Sequence, residues 1–199
     1  MKAADIIDIC LNAESLKRVP RTGWILAGQD SSSCEAVASH CWGTCIFSLL
    51  IAHQLRSEGK TVDLEKALTM AAVHDLAEAV MSDIPHGAIE LGGRAMESAK
   101  REAERNALGR LLGPLGTLGQ SLKKEWEELK LSKTIEARIV IAADRLDMLA
   151  HAISLEKGGF PSRNLDGFFD SARGEIENLH IDIVKDLFER LHSMHKASL

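Results

Sequence analysis

The stretch that decides the fold runs from Lys133 to Lys157, KTIEARIVIAADRLDMLAHAISLEK. Its apolar side chains at 135, 139, 142, 146, 149 and 153 recur every three or four residues. That is the period of an α-helix with one face turned to a core. Gly158-Gly159-Phe160-Pro161 then stops the run.

Working outward, the same period predicts helices over about 4–16, 33–57, 64–80, 94–112 and 122–130, and a last one over about 165–195, with a break near Gly174 left open. Ser32 and Glu35 have the spacing of a capping box for the second helix. Asp63 is the expected N-cap of the third. All four prolines (20, 85, 114 and 161) fall in the intervening loops, tyrosine is absent, and strict apolar/polar alternation is hard to find. The expected class is therefore all-α. With no internal repeat or low-complexity linker, residues 1–199 read as a single domain, with a core over about 10–157 and a C-terminal helical extension over about 165–196.

Composition excludes several functions. Of the 199 residues, 45% are hydrophobic, enough to bury a sizeable core. The formal charge of −5 argues against a surface for a nucleic-acid polymer. Cys10, Cys34, Cys41 and Cys45 form no C-x-x-C pair. They read as reduced, mostly buried thiols of a cytoplasmic protein rather than a disulfide framework. Cys41 and Cys45 share a helix face, but no second pair completes a thiolate metal site. The first residues are no signal peptide, because Asp5 and Asp8 interrupt the apolar run. The apolar stretch near Cys45–Ala52 is far short of the roughly 20 residues that span a bilayer. A soluble protein without a membrane partner is expected. A homodimer is expected too, with the apolar terminal helix as its docking face.

The chemistry starts at Ala71-Ala72-Val73-His74-Asp75-Leu76-Ala77-Glu78, which reads as the inside of a helix. Core helices exclude such polar groups unless they are paired or bind metal. His74 and Glu78 are four apart and Asp75 and Glu78 three apart, so they project over neighbouring patches of one face. Alone, a His-Asp pair is usually a partly exposed polar pair. Comparable anomalies lie elsewhere, however. His40 sits where the second helix turns apolar, and Asp144 lies inside Ile139-Val140-Ile141-Ala142-Ala143-Asp144. Two imidazoles and two carboxylates form a borderline-to-hard donor set. It suits Mn²⁺, Fe²⁺, Co²⁺, Ni²⁺ or Zn²⁺ better than Ca²⁺, with Mg²⁺ less favoured.

A histidine on one helix, an adjacent His-Asp on the next and a distant Asp on a later helix resembles the pattern of the HD-domain metal-dependent phosphohydrolase superfamily. More closely, the chain is similar to its 5'-deoxynucleotidase branch. The matching stretches are Leu16-Lys17-Arg18-Val19-Pro20-Arg21-Thr22-Gly23-Trp24, Glu35-Ala36-Val37-Ala38-Ser39-His40, His74-Asp75-Leu76-Ala77-Glu78, Asp83-Ile84-Pro85 and Ala143-Asp144. The resemblance implies an all-α HD bundle of roughly six to eight helices and one divalent metal held by His40, His74, Asp75 and Asp144. It also implies hydrolysis of (deoxy)nucleoside 5'-monophosphates to nucleoside and phosphate by a metal-activated water. Glu78 matches the acidic residue beside that water, Asp83 an aspartate near the sugar that is also the candidate second catalytic acid, and Trp24 an aromatic bordering the substrate. The chain departs from the pattern at Gly23, where bacterial relatives carry arginine, at Ser39, where an acidic residue is usual, and at Ser82, where glycine is usual. Arg21 is the natural substitute for gripping phosphate, with Lys17 or Arg18 as further cations.

Other residues have two readings. Trp24 is either a staple into the core or a substrate contact. Glu35 either caps the second helix or serves the site, and His86, in the loop after Asp83, is a candidate substrate contact. Lys17 and Arg18 otherwise read as solvated helix-end charges. Asp147 and His151 share the face of Asp144, as support for it or as surface pairs. His180, His192 and His195 read as surface residues, and Trp126 as the anchor of a solvated acidic face. Two rival functions stand beside the nucleotidase. One is another HD-type phosphodiesterase or a nucleotide triphosphohydrolase. The other is a non-catalytic metal- or nucleotide-binding module. No phosphate-cradling loop, dinucleotide fingerprint or H-E-x-x-H is present.

Overall fold

The computed structural model describes residues 2–197. The chain is all-α, and among the described residues an isolated antiparallel bridge, Pro20 with Ala36, stands in place of strands. The helices are α1 (Ala3–Ala13), α2 (Thr22–Leu26), α3 (Val37–Ser57), α4 (Leu64–Val73), α5 (Glu78–Met81), α6 (His86–Leu112), α7 (Thr117–Leu131), α8 (Ile135–Lys157), α9 (Asp166–Asn178) and α10 (Asp182–Lys196). No helix among the described residues is long and apolar enough to cross a membrane.

The chain clusters into two compact units. One comprises the chain up to Cys41 together with Ala72–Glu128; the other comprises Trp42–Ala71 together with the chain from Leu129 onward. The first unit is built on Leu16, Val37, Leu76, Leu108, Leu112 and Trp126, all buried, with Trp126 fully so. The second has Met70, Ala71, Leu129, Ala137 and Val140 in one buried cluster. Asp63 caps α4 by accepting the Lys66 N–H at 3.0 Å, as expected, and Thr134 caps α8 by accepting the Ala137 N–H at 3.3 Å.

Several expectations are corrected. The Ser32–Glu35 capping box does not form. Asp30 takes the Ser32 N–H at 2.7 Å and its hydroxyl at 2.6 Å, closing a local turn instead. Residues 35–37 run beside 19–21, with Arg21 N–H on the Glu35 carbonyl and Val37 N–H on the Val19 carbonyl, both at 2.9 Å. That ladder delays α3 until Val37. The loop before it contains α2. The segment after Asp83 is helical from His86, and Gly93 (φ 56°, ψ −152°) kinks α6 in a conformation open to glycine. Helix α8 is buried well beyond one face: Ala137, Val140, Ala143, Met148 and Ala152 join the predicted stripe. The terminal helix breaks at Leu179–Ile181, where His180 has φ 53°, and Gly174 lies within α9. The apolar side of α10 is already used, since Val184 and Phe188 are buried. The docking face expected for a homodimer is therefore occupied within the second unit. The cysteines are free but less buried than expected: Cys10 is exposed and the other three are intermediate.

The largest surprise is His195, read from sequence as a surface residue but only 2% exposed. Its Nδ1 contacts Glu156 Oε1 and its Nε2 contacts Asp166 Oδ1 at 2.8 Å. Its ring stacks on Phe169 at 4.1 Å between centroids. His192 is also half-buried, with its Nδ1 2.9 Å from the Arg173 guanidinium. Partners 29 and 39 residues upstream draw His195 inside, because a buried imidazole needs hydrogen bonds at both nitrogens.

Candidate metal centre

The His-Asp pair does not lie inside a helix. Helix α4 ends at Val73, and residues 74–77 form tight turns before α5. The backbone there closes by three-residue steps: Leu76 N–H reaches the Val73 carbonyl at 3.2 Å and Glu78 N–H the Asp75 carbonyl at 3.0 Å. The Trp126 indole donates to the His74 carbonyl at 3.3 Å. That bond comes from a residue 52 positions away and holds a carbonyl at the point where the α-helical ladder stops.

Two elements now converge. His40 comes from the first turn of α3 and is fully buried; His74 is 5% exposed. Their Nε2 atoms lie 3.3 Å apart. Asp75 Oδ2 is 3.2 Å from His74 Nε2 and 3.8 Å from His40 Nε2. Ligand atoms bound to one cation at about 2.0–2.2 Å sit about 3–3.5 Å from each other. Two imidazole nitrogens facing at this range repel unless a proton or a cation sits between them, and the carboxylate adds a third donor to the group. All three donors lie within 4.8 Å of one another, so the residues fit a divalent ion.

Around this group, Arg21 brings its Nη1 to 3.8 Å from Asp75 Oδ2, with both side chains less than a fifth exposed. Glu78 opens α5 and is 6% exposed. Burial, and then the charges of Asp75 and Asp83, push its carboxyl up to about 9, opposed by the cations Lys100 and Arg21. Asp83 accepts the Thr22 N–H at 2.5 Å. Trp24 is 1% exposed and donates its indole N–H to Glu35 Oε2 at 2.9 Å.

The structure thus brings together His40, His74 and Asp75, with Arg21 and Glu78 beside them and Trp24, Glu35 and Asp83 in the same unit. Asp144 belongs to the second unit, on α8, where its Oδ2 accepts from Arg145 at 3.3 Å. Asp147, also on α8, lies against Gly43 so closely that a Cβ there would meet its Oδ1 at 1.7 Å. Arg18 is exposed, and Lys17 is paired with Glu14 at 2.9 Å. His86 is exposed in the first turn of α6, 3.3 Å from Glu90. Sequence reading missed Lys100, which pairs with the buried Glu104 at 3.8 Å. Its four-residue spacing from Glu104 was the available signal.

A family model for the HD domain matches residues 13–178. The chain belongs to the HD domain family. This HD protein is 31% identical over 188 residues to the 5'-deoxynucleotidase HDDC2 of Dictyostelium discoideum, covering 91% of this chain and 93% of that one. It is 31% identical over 180 residues to the protein of the same name from Danio rerio, covering 87% and 82% respectively. It superposes on a conserved hypothetical protein from Pyrococcus furiosus with a TM-score of 0.78 at 32% identity, over 94% of this chain and 99% of that one.

Proposed function

We propose that this HD protein is a metal-dependent phosphomonoesterase that hydrolyses (deoxy)nucleoside 5'-monophosphates to nucleoside and phosphate. The observation that carries this reading is the convergence of two buried imidazole nitrogens and a carboxylate oxygen, with a guanidinium and a buried carboxyl alongside. The names of the two 5'-deoxynucleotidase relatives supply the substrate class.

In this reading His40, His74 and Asp75 hold one divalent transition metal, Mn²⁺, Co²⁺, Fe²⁺, Ni²⁺ or Zn²⁺, and Asp144 is the fourth ligand. Support for Asp144 comes from its place in the ordered motif set. When bound, such an ion supplies Lewis acidity and lowers the pKa of a coordinated water. Arg21 binds the phosphate, its planar fork matching two phosphate oxygens. Glu78 is the general acid/base: its burial favours the neutral carboxyl, which can pass a proton to the departing 5'-oxygen. Trp24, fixed by Glu35, borders the substrate, while Arg18 and His86 are peripheral contacts. The enzyme is cytoplasmic, consistent with its free cysteines. It is homodimeric, supported now by the outer side of α3, where Trp42 and Leu50 are 69% and 61% exposed.

The test is phosphate release from a panel of deoxy- and ribonucleoside 5'-monophosphates, with each metal in turn. Release from at least one monophosphate is expected, and Glu78→Ala should keep the metal yet lose most turnover. Near wild-type turnover by that variant would remove Glu78 from the mechanism. Absence of release from every monophosphate would sink the reading.

A further inference from the structure

Helix α6 turns one stripe of side chains inward. Ala107, Leu108 and Leu111 belong to the same buried cluster as Leu76 and Ala77, the residues between Asp75 and Glu78. Glu104 and Lys100 continue that stripe, in steps of three and four, towards the start of the helix. Helix α5, which opens with Glu78, packs against α6. Glu104 is 6% exposed and the Lys100 side chain 26%, whereas Arg94, Glu97, Glu102 and Arg105 are exposed. Packing alone does not call for an ion pair here, because an apolar pair of similar volume is often at least as stable. Lys100 Nζ stands 3.8 Å from Glu104 Oε1. That is beyond hydrogen-bond range, so the three donors of the ammonium are not committed to Glu104. The Lys100 charge also reaches Glu78, where it favours the ionised carboxyl more strongly than Arg21 does.

We propose that Lys100 is a second phosphate-binding residue: its ammonium leaves Glu104 and, together with Arg21, takes the substrate phosphate from the side of α6. The inference rests on the phosphomonoesterase reading. In that reading the two charges of the ion are matched by Asp75 and Asp144. Arg21 then supplies one positive charge against the roughly two negative charges of a phosphomonoester. Lys100 supplies the other, as a compact charge on a long, flexible stem. Glu104 has a defined part as well: it holds the ammonium beside the site until phosphate competes for it.

The test removes the ammonium with and without its carboxylate partner. Inorganic phosphate is the probe, titrated by calorimetry into protein loaded with stoichiometric Mn²⁺, so that binding is read without turnover. The phosphate Kd should be about tenfold or more weaker in Lys100→Met than in wild type. Lys100→Arg restores a charge with donors and should recover most of that loss. Lys100→Met alone strands the buried Glu104, so it is also combined with Glu104→Gln. The double variant should melt near the wild type yet bind phosphate as weakly as Lys100→Met. Glu104→Gln by itself should bind phosphate at least as tightly as wild type, because no carboxylate competes for the ammonium. Turnover should follow, with KM rising more than kcat falls. The proposal is overturned if the wild type binds no phosphate, if Lys100→Met binds it equally well, or if the double variant regains wild-type affinity. The last result would leave Lys100 only the task of pairing Glu104. Calorimetry decides the proposal whether or not a monophosphate is turned over. Absence of release from every nucleoside monophosphate would sink the reading of the site instead.

Discussion

His40 and His74 present their Nε2 atoms to each other across 3.3 Å, His40 fully buried and His74 nearly so. One comes from the start of α3 and the other from the turn after α4, so a shared ion would tie two separate stretches of the first unit together. Metal binding should therefore be a stability event as well as a catalytic one. The expected result is a thermal midpoint that rises on adding Mn²⁺, Co²⁺ or Zn²⁺ to chelator-treated protein. His74→Ala should lose most of that rise and bind less metal by elemental analysis. An equal rise in wild type and variant would place the ion elsewhere.

Glu78 gives the metal-free protein a pH dependence of definite sign. Its carboxyl is pushed from an ordinary 4.5 to about 9, first by burial and then by Asp75 and Asp83. The folded state therefore binds the proton more tightly than the unfolded chain does. The stability linked to this group is fully present below about pH 4.5 and is lost as pH rises towards 9. Midpoints of chelated wild type should fall between pH 5 and pH 8.5, and those of Glu78→Gln should fall less. Equal slopes would mean that the carboxyl is not held protonated.

In the second unit, His195 joins three helices through Glu156 on α8, Asp166 and Phe169 on α9, and its own place on α10. Among the described residues, the other oxygen of Glu156, Oε2, is already buried without a hydrogen-bond partner. His195→Ala would leave the whole carboxylate unpaired in the interior, at a cost of about 2–4 kcal/mol. Urea melts followed by circular dichroism should show the lower midpoint. A change within about 0.5 kcal/mol, the range of ordinary surface substitutions, would show that His195 is not needed to hold α10.

How much of this could be read beforehand depended on distance along the chain. The period of Ile139, Leu146 and Leu149 is local, and so is the Asp63 cap; each was legible because one helix contains its own evidence. Glu35 and Ser32 carried an equally local signal that failed, because Asp30 stood nearer to Ser32 and the Val19–Arg21 segment claimed residues 35–37. The break after Val73 was hidden because the indole that meets the His74 carbonyl lies on α7. His195 was misread for the same reason: an imidazole on a terminal helix looks solvated until its carboxylate partners are known. The His40, His74 and Asp75 group was legible through the ordered motifs, although the His-Asp pair alone favoured a partly exposed polar pair.

Ser82 offers a test of the backbone itself. It sits between the end of α5 and Asp83 with φ 66° and ψ 169°, a region that residues with a Cβ avoid and glycine enters freely. The serine therefore sits in a turn shaped for a residue without a Cβ. Strain of this kind costs about 1–3 kcal/mol, offset in part by the extra freedom a glycine gives the unfolded chain. Ser82→Gly should therefore gain about 1 kcal/mol and raise the thermal midpoint by about 2–4 °C. Ser82→Val should lose stability, since a branched Cβ deepens the clash. Because Ser82 precedes the aspartate that anchors Thr22, relief of strain should leave Thr22 amide protection intact. A midpoint that falls in Ser82→Gly would mean that the serine hydroxyl, rather than the backbone, sets the stability of this turn.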